Sequence, residues 1–161
     1  MNIFFQEHQQ ILNALLKHQV SFMLIGGYAV NYYGYNRVTG DMDIWLEPTN
    51  ENKEKLLQAL TALGFDDEGI SIIQHWDFNL PQKFNIGSEE QPDKTEFMTH
   101  ISGVVYQLAN ESKIYANIDG LQLPIIHYNS LIKNKRSTGR TKDAADVEYL
   151  EKIMHLKNKK S

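Results

Sequence analysis

Two carboxylates separated by one residue, Asp41 and Asp43, follow the glycine pair Gly26-Gly27 at short range in this chain. On a strand, residues two apart project from the same face, roughly 6–7 Å apart along the chain. Such a pair can clamp magnesium, a hard cation that takes oxygen ligands and keeps substrate phosphate oxygens in its shell. Two ions held this way stabilise both the attacking and the leaving oxygen of an in-line displacement. Glycines after a strand let backbone come close to a ligand, and a helix starting there turns free N–H groups toward an anion such as phosphate. Each half also has an ordinary reading, a plain turn for the glycines and a solvated strand face for the aspartates. Their order and proximity favour the chemical reading. Further on, Lys133, Lys135, Arg136, Arg140 and Lys142 form a basic cluster.

These residues need elements to position them. Phe22 to Ile25 is a short apolar run that reads as a buried strand, broken by Gly26-Gly27, with a short helix from Tyr28 to Tyr33 stopped by Gly34. Asp41 to Leu46 alternates: Met42, Ile44 and Leu46 take one face, and Asp41, Asp43 and Trp45 the other. That pattern predicts a strand with one buried face and leaves Trp45 to line a pocket or to pack. An amphipathic helix is expected from Phe4 to Lys17, and another after the N-cap Thr49, carrying Leu56, Leu57, Leu60 and Leu63 up to Gly64. Ile70–Ile73, Phe84–Ile86 and Lys94–Ile101 read as strands, Ser88–Asp93 as a loop, and Gly103–Ala109 as a short helix. Ile114–Ile118 and Leu121–Ile126 read as a hairpin around Asp119-Gly120. Two helices, near Asn129–Arg136 and Thr141–His155, complete an α+β chain with a mixed sheet and flanking helices. One domain over 1–156 followed by a basic tail at 157–161 is the expected organisation.

The 161 residues suit one domain with a real core. With no cysteine, disulfides, thiolate metal sites and cysteine nucleophiles are excluded. No apolar run reaches the length of a membrane span and the first residues do not read as a signal peptide, so a cytoplasmic protein away from membranes is expected. A net charge of −4 argues against a general nucleic-acid surface. The six histidines show no close ligand pairing; His100 alone stands out, on the parity of the strand expected around it. No Walker pattern is present.

The block from Phe22 through Gly26-Gly27, Gly34, Arg37, Thr39, Asp41 and Asp43 to Asn52 and Gly64-Phe65 resembles the DNA polymerase beta-like nucleotidyltransferase superfamily, in its small bacterial branch of abortive-infection toxin-type proteins. Phe84–Gly87, Phe97–Val104 and the run from Lys135 through Gly139–Asp143 to Asp146 resemble later segments of that family. The resemblance implies the nucleotidyltransferase fold, magnesium as cofactor, and a nucleoside triphosphate, ATP first, as donor. It also implies transfer of a nucleoside monophosphate to an acceptor hydroxyl with release of pyrophosphate. Asp41 and Asp43 are implied to hold metal, and Gly26, Gly27, Arg37, Lys135, Arg140 and Lys142 to meet the nucleotide. A third carboxylate falls at Glu96, where the family usually has Asp; one extra methylene matters for chemistry that depends on placement. Glu89, Glu90 and Asp93 are substitutes in a loop. Arg140 has an alternative role, pairing with Asp143 or Asp146 at a helix start, and Arg37 one in ordering its loop.

Two other functions compete. The chain could be a catalytically weak or inactive nucleotide- or partner-binding protein on the same fold, or a magnesium-dependent nuclease. The acceptor, whether small molecule, protein or RNA, and an antitoxin or homodimer partner are open at this level.

Overall fold

The computed structural model describes residues 5–36, 39–88 and 90–160. In chain order the elements are α1 (Gln6–Lys17), β1 (Phe22–Ile25), α2 (Gly26–Tyr32), β2 (Met42–Leu46), α3 (Asn50–Ala62), α4 (Asp67–Gln74), β3 (Lys83–Ile86) and β4 (Thr95–Met98). They continue with α5 (Tyr106–Ser112), β5 (Ile114–Ile118), β6 (Leu121–Ile125), α6 (Tyr128–Ser137) and α7 (Thr141–Lys160). The six strands form one sheet in the order β3-β4-β2-β1-β6-β5. It is mixed: β2 pairs parallel with β4 and β1 parallel with β6, while β1–β2, β3–β4 and β5–β6 are antiparallel. This is the α+β architecture the sequence implies.

Local chemistry accounts for most boundaries. Thr49 caps α3 by accepting from Asn52 N at 3.1 Å, and Gly64, at φ +95°, follows its end. Asp119 (φ 53°) and Gly120 (φ 83°) close the β5–β6 hairpin in the left-handed conformations that a two-residue turn requires. Asn52 is buried. Its Oδ1 accepts from Ser21 N at 2.8 Å, and its amide donates to the carbonyls of Ser21 and Glu47 at 2.9 and 3.2 Å, which clamps the ends of β1 and β2 together.

Two expectations are corrected. Ile70–Ile73 is not a strand but part of α4. The Asp66 side chain accepts from Gly69 N at 2.9 Å, and Asp67 and Glu68 occupy the first turn. Capping, and a helical placement that buries Ile73 while Ile72 faces out, outweigh the β preference of this run. The second correction concerns β2, which is not buried on one face only. Met42, Ile44 and Leu46 are wholly buried, but so is Trp45. Its indole N–H donates to Thr99 O at 3.0 Å and its ring meets Tyr106 edge-on. A central strand is covered on both sides, and the tryptophan fills the far end of the face whose near end carries Asp43.

The core runs along both sides of β1 and β2. Ile11, Leu12 and Leu15 of α1 reach it, as do Leu56, Ala59 and Leu60 of α3. Phe84 of β3 stacks on Phe97 of β4 with ring centroids 4.8 Å apart. The last helix continues through Lys157 to Lys160. Among the described residues, no helix is long and apolar enough to cross a membrane.

Candidate active site

The β2–β4 register brings the carboxylates together. Asp43 lies opposite Glu96 on the parallel strands, with Met42 opposite Thr95. The pairing is anchored just outside by Met42 N donating to Lys94 O at 3.0 Å. Asp41, Asp43 and Glu96 line one cavity of about 710 Å³ together with Gly26, Gly27, Thr39, Lys135, Arg140 and Lys142. Apart from Arg37, which lies outside the described residues, the carboxylates, glycines and cations that the resemblance implies for the site are therefore on this cavity. Glu89 also lies outside the described residues. Glu90 and Asp93, the other loop carboxylates, do not line the cavity.

The carboxylates crowd one another. Burial pushes the Asp43 carboxyl up to about 7, with the Glu96 charge, a hydrogen bond shared with Glu96 and the Asp41 charge acting in the same direction; Lys135 opposes them. Glu96 also meets Lys83 and Lys94, each at 3.6 Å.

Gly26 has φ +64°, and a Cβ there would stand 2.1 Å from Asp43 Oδ2. A Cβ at Gly27 would stand 2.6 Å from Thr39 Oγ1. The glycines are thus required first by the protein's own Asp43 and Thr39, a role the sequence reading, which looked to a ligand, did not contain. Gly26→Ala is expected to destabilise the protein by about 2 kcal/mol or more and to displace the Asp43 carboxylate. A thermal melt within a degree or two of the parent would show that the contact relaxes freely.

The basic wall is organised by two acids. Lys135 is buried and donates to Asp143 Oδ1 at 3.1 Å and Asp146 Oδ2 at 2.9 Å. Asp143 Oδ2 also accepts from Thr138 Oγ1 and from Arg140 Nε, both at 2.6 Å. Burial works to raise the Asp143 carboxyl, but these hydrogen bonds and the Lys135 charge outweigh it and hold it down at about 2. The alternative pairing of Arg140 with Asp143 is the one observed. Lys142 lines the cavity and forms no ion pair among the described residues. Thr39, His100 and Asn134 also line the cavity; His100 Nδ1 lies 2.8 Å from Thr99 Oγ1. The i, i+3 spacing of Arg140 and Asp143 was the visible signal for the acid anchor; the Lys135 pairing had none.

Among the described residues, no three His, Asp or Glu side chains stand ready to coordinate an ion by themselves. The donor chemistry nevertheless suits a cation. Two half-buried acids are held within hydrogen-bond reach with a third on the same wall, a repulsion that a cation would relieve. A hard ion that completes its shell with water and phosphate oxygens needs only one or two protein carboxylates.

Strand order and helix placement make one mixed α+β fold. Two solved structures share it. One is the lincosamide antibiotic adenylyltransferase LnuA in its lincomycin-bound form, with a TM-score of 0.60, 19% identity, and 95% of this chain and 99% of that chain covered. The other is a protein of Thermotoga maritima described as a nucleotidyltransferase, with a TM-score of 0.55, 15% identity and 96% of each chain covered. No family model and no curated protein matches the chain.

Proposed function

We propose that this protein transfers a nucleoside monophosphate from a nucleoside triphosphate to an acceptor hydroxyl and releases pyrophosphate. The observation that carries this reading is the register that sets Asp43 beside Glu96, with Asp41 on the same wall of a cavity that Lys135, Arg140 and Lys142 also line. Magnesium, held by Asp41, Asp43 and Glu96, would supply charge neutralisation and polarisation of the reacting phosphate. The acceptor oxygen bonds to the α-phosphorus as the bond from that phosphorus to the bridging oxygen breaks, and the electron pair leaves with pyrophosphate. Glu96 takes the hydroxyl proton at its carboxylate. Gly26 and Gly27 present backbone without side chains, which lets phosphate come close. Lys135 has three N–H donors and gives two to Asp143 and Asp146. The third is left for a phosphate oxygen, and the exposed Arg140 and Lys142 add charge at the rim. The likeness to LnuA supports ATP as the donor to test first and a small hydroxyl-bearing molecule as the acceptor to test first.

The experiment is transfer of label from α-labelled ATP, with magnesium, into small-molecule, protein and RNA fractions. Label in none of them, across all four nucleotides, would count against the reading.

One observation favours a second reading, a nucleotide-binding protein without transfer: Glu96 is engaged by Lys83 and Lys94. Glu96→Asp separates the two. If Glu96 is the adapted third carboxylate, the shorter side chain lowers transfer about 10-fold or more. A clear gain of activity would instead mark the natural site as degenerate.

A further inference from the structure

We infer that His8 is a positioning residue for the carboxylate site; the inference rests on the transfer reading above. His8 sits on the inner face of α1, fully buried, and touches none of the cavity-lining residues through a hydrogen bond. Both ring nitrogens are engaged. Nε2 lies 2.6 Å from the backbone oxygen of Asp93, and Nδ1 lies 3.1 Å from the Tyr28 hydroxyl. A carbonyl can only accept, so Nε2 carries the hydrogen; in the neutral ring Nδ1 then accepts from Tyr28. One imidazole therefore ties three pieces of chain together: α1, the start of α2 two residues past Gly26, and the loop that leads into β4.

That loop governs the site. Pro92 O occupies the space a Cβ on Gly40 would need, 2.1 Å from its position, and Lys94 O accepts from Met42 N at 3.0 Å. Pro92 to Lys94 is thus pressed against Gly40 to Met42. Asp41 is within this contact, Asp43 is one residue beyond it, and Glu96 is two residues past Lys94. Holding Asp93 from behind fixes how far Glu96 stands from Asp41 and Asp43, and so how well the three share a cation. The bond is also specific in direction: a buried apolar residue at position 8 would fill the space but leave the Asp93 carbonyl without its donor.

The test compares His8→Ala, His8→Gln, whose amide reaches the place of Nε2, and Leu15→Ala, a fully buried residue of the same helix away from the loop. Three readouts are taken: amide hydrogen exchange across residues 93–96, Mn²⁺ affinity of the nucleotide-free protein, and the magnesium dependence of label transfer. His8→Ala is expected to speed exchange in that segment about 10-fold or more, to weaken Mn²⁺ binding, and to raise the magnesium needed for half-maximal transfer by about 10-fold, with the KM for nucleotide little changed. His8→Gln recovers most of each, and Leu15→Ala lowers the melting temperature without moving the other three. Equal shifts in His8→Ala and Leu15→Ala, or none in His8→Ala, would overturn the inference. Absence of transfer in the parent protein would sink the functional reading instead, and the exchange comparison would still decide the role of His8.

Discussion

Replacing Asp41 and Asp43 together with Asn is expected to lower label transfer by about 10³-fold or more and, at the same time, to make the cation-free protein more stable. The first effect follows from removing two of the three anionic oxygen donors assigned to the proposed reaction. The second follows from the crowding of the acids. The Asp43 carboxyl titrates at about 7 in the folded protein against 3.8 for the free group, because it is buried beside Glu96 and Asp41. A folded-state value above the unfolded one means that ionisation costs stability. The cost is absent below about pH 4, grows as pH rises toward 7 and is then constant. Asn carries no charge to desolvate, so the variant should gain about 1–3 kcal/mol at pH 8 and little at pH 4, measured by melts in chelator. Added magnesium should reverse the order by stabilising only the parent. Retained transfer in the double variant would remove the aspartates from the mechanism. A variant less stable than the parent at pH 8 would mean that the acids are structurally required.

Lys135→Met should be the most destabilising single change in the site, about 3–5 kcal/mol at pH 7. It strips the shared cation from two buried carboxylates, Asp143 and Asp146. The pH dependence identifies the cause. In the parent protein the Asp143 carboxyl lies at about 2, below its unfolded value of 3.8, so the stability it contributes is present above about pH 4 and is lost as pH falls through 2. In the variant, loss of the lysine raises the Asp143 carboxyl, and its protonation on acidification relieves the charge left buried there. The stability gap between parent and variant should therefore narrow steadily from pH 7 to pH 4 in urea titrations. A gap that stays constant over this range would point to lost packing of the lysine stem instead. Additional Asp143→Asn and Asp146→Asn changes should restore much of the loss by removing the charges left behind.

How far the sequence revealed this protein depends on the range over which each signal acts. The Asp41–Asp43 alternation, the Thr49 cap and the Asp119-Gly120 turn are local devices, and each works as its residues imply. The carboxylate at Glu96 was found by resemblance rather than by periodicity, since nothing in either strand states which register they will share. Trp45 was placed with the aspartates by its parity. That left lining a pocket and packing both open, and packing is what is found, because the covering partner, Tyr106, comes from a distant helix. Lys135 was expected to meet the nucleotide, and its pairing with two acids went unseen because they lie beyond a turn, on the next helix. His8 was not singled out among the six histidines, since its partner carbonyl at Asp93 is contributed by backbone and carries no residue signature at all.

The parallel pairing of β2 with β4 also bears on when the molecule becomes competent. β1 and β2 are near neighbours in the chain and share an antiparallel register, whereas β4 must return across two helices and β3 to lie beside β2. Closing that long loop is the entropically demanding step, rewarded only when the pairing is made. The three carboxylates of the cavity are split across it, with two on the early side and one on the late side. A nascent or partly unfolded chain therefore lacks the full carboxylate cluster, and under the proposed function a bound cation and nucleotide would draw the population toward the fully assembled sheet.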